Sequence, residues 1–464
     1  MLRLSGMDAS FLYMETPTHH MHVCGTLVLD PSSRATPLAL EDLRNLIRAR
    51  IHLMPMLRRR VLPVPLGLDH PVWLEDPDFD VEHHVRRITV HAPGTMRELA
   101  EIVGDIASTP LNRSRPLWEM ALVEGLADGN LALVSKMHHA CIDGVTGADL
   151  MAHLLDLEPD AGDPEPPATP WEPDEVPSEL HLATDAVASR LADPFRTVRA
   201  IGRTTASLAT MARSILPVGD DGLRPALPFT GPRTILNAPI TAKRVVAFGQ
   251  ASLDDIKVAK NTFGTTVNDV VLAASALSLR RYLLAHDDLP ERPLIAAVPV
   301  SVHATDGVGT NQVSNMFVRL PLEIDDPVEL LARINAETLD AKAVHNAMGA
   351  DLIQDMALMT PPGLYNLALR LYALPAVSGT LPPVQNLVIS NVPGPPIPLY
   401  LAGARVGGVF PFGPLIEGSG INITVLSNMG NMDFGVIACG DTVPEVWRIA
   451  DGFGDAVAEL RARC

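Results

Sequence analysis

The residues best suited to chemistry in this 464-residue chain lie together at 138–144, His-His-Ala-Cys-Ile-Asp-Gly. Two other adjacent pairs occur, His19-His20 and His83-His84, but neither continues into an acid and a glycine. A neutral imidazole, with an ordinary pKa near ~6.5, can take a proton at cellular pH and return it. Acyl transfer from a thioester to an alcohol needs that cycle. The base removes the hydroxyl proton as the oxygen attacks the carbonyl carbon, and the imidazolium then protonates the departing thiolate. No serine or cysteine nucleophile is required, because a thioester is already activated. Neighbouring side chains on a strand point to opposite faces, so the two imidazoles cannot do one job. His139 is expected to be the general base and His138 to support it. Asp143 is expected to hold the loop and the ring, a structural and orienting part, and Gly144 to let the backbone turn tightly.

Other readings of these residues are weaker. Cys141 lies inside the motif and would suit a Cys–His nucleophile, but nothing else in the chain suggests a thiol enzyme. A metal bound by His138 and His139 would need divergent side chains to converge, and further ligands at the usual spacing are missing. No metal is expected. His19-His20-Met21-His22 reads as the start of a strand bordering the site rather than as a ligand set. A second His-x-x-x-Asp, His181 to Asp185, lies in a polar region and is taken as accidental.

The elements that must position the motif are visible around it. Leu-Ala-Leu-Val-Ser-Lys-Met-His, residues 131–138, reads as a strand, and Asp143-Gly144 then turns into a helix to about Leu155. The imidazoles therefore belong at the C-terminal end of a strand, where α/β folds place ligand sites. Elsewhere we expect strands at 22–29, 118–124, 244–249, 294–301, 313–320, 386–391, 405–410, 420–427 and 432–439. Helices are expected at 37–52, 95–108, 252–263, 266–286, 327–344, 351–373 and 444–463. Strands and helices mixed in both halves indicate an α/β protein. Residues 157–179 are dense in Pro, Asp and Glu and read as a linker. The expected division is an N-terminal lobe, 1–156, an acidic Pro-rich linker with an amphipathic helical crossover, 157–240, and a C-terminal lobe, 241–464. In the crossover, residues 194–215 place apolar residues on one side and arginines on the other. That pattern suits a helix packed on its own protein, and also one lying on lipid.

Composition excludes several classes. Hydrophobic residues make up 47% and charged residues 19%, so large cores are affordable and wholesale disorder is not expected. A formal net charge of −18, with only 4% aromatic residues, argues against a nucleic-acid partner. The four cysteines form no Cys-x-x-Cys pair and are expected to be reduced. No secretory leader and no apolar run long enough to span a bilayer are evident. A cytoplasmic protein, or one peripheral on the inner membrane or on lipid droplets, is expected.

Taken together the motifs carry a resemblance. Leu4-Ser5-Gly6-Met7-Asp8-Ala9-Ser10-Phe11-Leu12-Tyr13-Met14-Glu15-Thr16-Pro17, Pro116-Leu117-Trp118, His138–Gly144, Asn268-Asp269, Pro299-Val300-Ser301 and Asn391-Val392-Pro393-Gly394-Pro395 resemble the bacterial wax ester synthase/diacylglycerol acyltransferase family nearly end to end. The resemblance implies two chloramphenicol-acetyltransferase-like α/β lobes with mixed sheets and an active-site channel at their interface. It implies His139 as the base and Asn268 close to the reacting centre, supporting the oxyanion or the acceptor. Asp269, Pro116, Leu117 and Trp118 would be structural. The implied reaction moves a long-chain fatty acyl group from acyl-CoA to diacylglycerol or to a long-chain alcohol, with no cofactor. Arg58-Arg59-Arg60, Arg86-Arg87 and Arg280-Arg281 are candidates for the CoA phosphates. The alternatives are a condensation-type transferase using a carrier-protein thioester, and a non-catalytic lipid-surface binding protein. Two positions depart from the family pattern. Thr310 separates Gly309 from Asn311, and Asn428 stands where a tyrosine is common, which bears on acceptor preference if that position lines the channel.

Overall fold

In the computed structural model, residues 2–141, 150–192, 226–302, 312–348 and 382–464 are described. Asp143, Gly144, the 194–215 and 351–373 segments and Gly309–Asn311 lie outside the described residues. In chain order the first half contributes β1 (Leu2–Arg3), α1 (Gly6–Met14), β2 (His22–Asp30), α2 (Leu40–Arg50), β3 (Arg59–Leu62) and β4 (Val72–Glu75). It continues with β5 (Val85–Thr89), α3 (Met96–Ser108), β6 (Trp118–Glu124) and β7 (Leu131–His138). Helix α4 (Glu179–Ala192) follows the acidic segment. The second half contributes β8 (Arg244–Ser252), α5 (Leu253–Thr262), α6 (Val267–Ala285), β9 (Leu294–Val302), β10 (Gln312–Leu320) and α7 (Pro327–Met348). It ends with β11 (Leu387–Val392), β12 (Tyr400–Leu401), β13 (Ala404–Phe412), β14 (Ile421–Asn428), β15 (Asn431–Cys439) and α8 (Val446–Ala462).

Two six-stranded sheets organise the molecule, in the orders β12-β13-β2-β7-β6-β5 and β10-β9-β11-β14-β15-β8. Both are mixed: β5 runs parallel to β6, and β11 runs parallel to β9 and β14, while the other pairs are antiparallel. The first sheet is not built from the first half alone. β13 pairs along β2 from Arg405↔Asp30 to Phe412↔Cys24, so the second half donates two edge strands to it. Each strand shows in the sequence by itself, but nothing local in either segment says that the two pair.

Local chemistry explains the helix starts that matter. Thr95 caps α3 and Glu98 reaches back to the Thr95 N–H at 2.7 Å, a reciprocal cap. Thr266 and Asp269 do the same for α6, with Asp269 Oδ2 accepting from Thr266 N at 2.9 Å. α6 is apolar nearly all round, and its residues Asp269–Leu279 are buried. That fits a helix enclosed by neighbours rather than one lying on a surface.

The acidic Pro-rich stretch carries no helix or strand between the Asp156–Tyr400 bridge and α4, but it is tied to the first half. Trp171 Nε1 donates to Glu75 Oε2 at 3.0 Å, and the Arg58 guanidinium lies 4.7 Å from the Trp171 ring centroid. α4 itself lies within the segment expected as linker, with Leu182 and Ala186 buried and Asp185 paired to Arg3 at 2.7 Å. His181 is exposed on the same helix.

The two sheets share an apolar seam. Cys24, Val103, Ala121 and Val134 from one side pack with Val246, Phe248, Phe412 and Ile437 from the other. α3 meets β8 so closely that a Cβ on Gly104 would lie 2.8 Å from the Arg244 carbonyl oxygen. Arg244 is buried, and its Nη2 donates to the Thr18 carbonyl at 2.6 Å, while its own N–H donates to Ser108 Oγ at 2.8 Å. Gly104→Val should therefore force α3 away from β8 and destabilise the protein by about 1–3 kcal/mol. A urea unfolding midpoint unchanged from wild type would contradict this account of the seam.

Candidate active site

The end of β7 carries the two motif histidines in different surroundings. His138 is the last ladder residue, paired with His22 of β2, and its N–H donates to the Leu117 carbonyl at 3.0 Å. It is 1% exposed. His139 opens a single 3-10 turn, His139–Cys141, and its N–H donates to the Met21 carbonyl at 2.7 Å. His139 keeps some accessible surface, yet its Nδ1 is buried and has no hydrogen-bond partner among the described residues. The Phe11 ring of α1 lies against it, centroids 4.1 Å apart. Burial, assisted by the neighbouring His138, lowers the His139 pKa to about 4, so the ring is neutral at cellular pH.

His138 is hydrogen-bonded at one ring nitrogen and lies beside a carboxylate at the other, where Nε2 is buried without a hydrogen bond among the described residues. Its Nδ1 accepts the Ala140 N–H at 3.0 Å, which leaves the proton on Nε2, 3.2 Å from Glu15 Oε1. Glu15, the C-cap of α1, is a residue that sequence reasoning missed. Its Oε1 also accepts the Met21 N–H at 3.1 Å and lies 3.5 Å from His22 Nε2. Its Oε2 accepts from Arg113 Nη2 at 2.5 Å, and the same nitrogen donates to the Leu12 carbonyl at 2.9 Å. Burial pushes the Glu15 carboxyl up, but His138 and Arg113 outweigh it and hold it well below the usual carboxylate range. A lone glutamate has no spacing signal; only its place in the opening motif marked it.

The histidines that lead into β2 form the adjoining wall. His19, His20 and His22 are each buried. His20 and His22 stack at 5.3 Å. Burial first, then the cations Arg244 and Lys136, lower their pKa values, to about 4 for His19 and about 2 for His22. The strand expected here is present. No group of three His, Cys, Asp or Glu among the described residues could hold a metal ion.

The remaining expected residues fall in structural or separate places. Pro116 and Leu117 are buried, and Trp118 donates from Nε1 to the Leu57 carbonyl at 2.7 Å and stacks on His84 at 4.4 Å. Asn268 lies in the first turn of α6, half-buried, and no hydrogen bond joins it to His139 among the described residues. Its neighbour Asp269 is fully buried and accepts from Asn335 at 2.8 Å and Thr338 at 2.7 Å, as well as from its own cap. Asn428 is buried and donates to Asp433 at 2.8 Å. Gly394 of the Asn-Val-Pro-Gly segment donates to Ser427 Oγ at 2.9 Å, and a Cβ there would sit 2.1 Å from the Ser427 carbonyl. Cys141 is buried, and burial pushes its thiol well above the usual range, against a nucleophilic role.

Most of the candidate CoA arginines are engaged with carboxylates. Arg58 and Arg59 both face Glu75, at 3.7 and 2.7 Å, and Arg60 faces Asp76 at 3.4 Å. Arg281 grips Glu459 at 2.6 Å, Arg280 lies 3.9 Å from Asp325, and Arg87 lies 3.9 Å from Glu124. Arg86 is exposed and has no carboxylate partner among the described residues.

With this geometry in view, comparison with known proteins is informative. A family model for the wax ester synthase/diacylglycerol acyltransferase catalytic domain matches residues 4–271, and one for the C-terminal domain matches residues 309–461. A putative diacylglycerol O-acyltransferase of Mycobacterium tuberculosis is 41% identical over 462 residues, covering 99% of this chain and 90% of that one. A second, of Mycobacterium bovis, is 36% identical over 98% of this chain and 97% of that one. Among solved structures, the wax ester synthase/diacylglycerol acyltransferase of Marinobacter aquaeolei superposes with a TM-score of 0.70 at 29% identity, covering 99% of both chains. The first condensation domain of the calcium-dependent antibiotic synthetase, 15% identical with a TM-score of 0.55 over 99% of this chain and 96% of that one, shares the fold. The fold is thus the two-lobed, mixed-sheet α/β architecture of these acyltransferases and condensation domains, and the chain belongs to the wax ester synthase/diacylglycerol acyltransferase family.

Proposed function

We propose that this protein transfers a long-chain fatty acyl group from acyl-CoA to the free hydroxyl of diacylglycerol, and also to long-chain alcohols, with His139 as the base. The observation that carries this reading is a neutral imidazole at a strand end, its Nδ1 buried without a partner, in a chain that matches the family along nearly its whole length. In this reading the alcohol gives its proton to the His139 ring as its oxygen attacks the thioester carbon. The tetrahedral intermediate collapses, the carbon–sulfur bond breaks, and the ring returns the proton to the CoA thiolate. Protons and electrons balance without a co-reactant, so no cofactor is called on. Asp143 holds the turn that follows the base, and Asn268 supports the oxyanion or the acceptor hydroxyl. The carrier-protein alternative draws on the shared fold alone. No helix among the described residues is long and apolar enough to cross a membrane.

Purified protein given palmitoyl-CoA with diacylglycerol or hexadecanol should release free CoA and form the ester. His139→Ala should lower kcat by about 10²–10⁴-fold. Wild-type protein that binds lipid vesicles and releases no CoA would favour the non-catalytic reading instead.

The lowered pKa values also set a pH dependence. Below pH 6.5 the unfolded chain protonates His19, His22 and His139, whereas the folded chain holds them neutral to about 4, 2 and 4. Their burial therefore lowers stability progressively as pH falls from 6.5 towards 4, and has no effect above 7. The urea midpoint should be flat from pH 7 to 8 and fall at pH 6 and 5. In the same window kcat/KM should show no acid limb centred on 6.5; a limb there would mean that the base titrates as an ordinary histidine.

A further inference from the structure

We propose that Glu15 is a positioning residue for His139, fixing the base through the Met21 backbone, the His138 ring and Arg113. This rests on the reading of His139 as the base. Three connections start from one half-buried carboxylate. The first is backbone: Glu15 Oε1 accepts the Met21 N–H at 3.1 Å, and the Met21 carbonyl accepts the His139 N–H at 2.7 Å. Met21 is thus held on one side by the glutamate and itself holds the base on the other. The second is the ring beside it: Oε1 lies 3.2 Å from His138 Nε2, whose opposite nitrogen is fixed by the Ala140 N–H. The third is the helix. Arg113 bonds both Glu15 Oε2 and the Leu12 carbonyl, closing the last turn of α1, the helix that lays Phe11 against the His139 ring.

These contacts bracket His139 at its backbone, its preceding side chain and its ring face. Glu15 acts through geometry, as an oxygen acceptor, and takes no part in proton transfer. A shift of the reacting group by ~1 Å can cost on the order of 100-fold in rate. Loss of this carboxylate frees Met21 and His138 together.

The test compares Glu15→Ala and Glu15→Gln with wild type and His139→Ala, using palmitoyl-CoA and diacylglycerol with rates normalised to folded protein. Glu15→Ala should lower kcat on the order of 100-fold and leave KM for palmitoyl-CoA within about twofold. Glu15→Gln, whose amide oxygen still accepts the Met21 N–H, should recover to within about tenfold of wild type. Independently of activity, amide hydrogen exchange in peptides spanning residues 17–22 and 136–141 should rise in Glu15→Ala and stay slow in Glu15→Gln. The proposal is overturned by wild-type kcat in Glu15→Ala, by a Gln variant as poor as the Ala variant, or by unchanged exchange in both peptides. The functional reading fails separately, if wild type transfers no acyl group or His139→Ala remains fully active; raised exchange in Glu15→Ala would then still establish the positional link.

Discussion

The hydrogen bond from the His139 N–H to the Met21 carbonyl is where the first sheet stops being regular. One residue earlier, His138 is still in the ladder opposite His22. One residue later the chain has entered a 3-10 turn. A strand end of this kind separates two adjacent imidazoles that identical chemistry would otherwise make equivalent. The pleat sends the His138 ring into the interior, where it must find partners or cost several kcal/mol as an unsatisfied polar group. It has Ala140 N–H on one nitrogen and Glu15 near the other. His139, just past the ladder, is left with a buried nitrogen facing no protein partner among the described residues. Nitrogens of His19, His20, His22 and His138 are also buried without a hydrogen-bond partner among the described residues, and in the proposed reaction a hydroxyl would satisfy that of His139.

That strand end keeps its place only if the second half of the chain is fixed against it. β13 supplies the link by leaving its own half and pairing along β2, the strand that also holds β7. A donated strand must be anchored where it crosses the second sheet. Asp433 of β15 does so: fully buried, it accepts the Val409 N–H at 2.7 Å together with Gln250 Nε2 at 2.7 Å and Asn428 Nδ2 at 2.8 Å. Burial pushes its carboxyl up despite those three donors. Asn428 therefore has a structural employment that its position in the motif did not suggest. With Gln250 it is one of two side chains that donate to this carboxylate.

Elements with strong local patterns were legible in the sequence. Trp118–Glu124 and Leu131–His138 form strands over the expected spans, and α3, α5, α6 and α8 lie within two residues of expectation, because apolar alternation, reciprocal caps and helical spacing are local properties. The crossing of β13 was not legible, since its partner Cys24–Asp30 lies in the other half and either strand alone looks like any other. The small sheet β1-β4-β3 was missed because strands of two to four residues carry too few alternations to read. It also decides the fate of the Arg58-Arg59-Arg60 run. The hairpin of β3 and β4 brings Glu75 opposite Arg59, with Asp76 beside it, so a run that suggests a phosphate site in one dimension becomes internal ion pairing in three. Of the candidate site, His138 and His139 were identified from spacing and setting. Glu15, Arg113 and Phe11 were not, because their relation to the motif exists only once α1 is folded against it.

The charges around the strand end obey one constraint. In the proposed reaction the base must be neutral at rest, and burial, with nearby cations adding to it, keeps imidazoles neutral. Lys136 and Arg244 serve His19, His20 and His22 in that manner, and both are themselves satisfied: Lys136 bonds the Ile106 and Thr109 carbonyls at 2.8 Å and Glu119 at 2.5 Å. Glu15 stays ionised well into acid and faces these rings as an acceptor, holding the Met21 N–H while lying 3.2 Å from His138 Nε2 and 3.5 Å from His22 Nε2. The surroundings of these histidines draw on both halves of the chain, since Arg244 comes from β8 and Glu15 caps the end of α1.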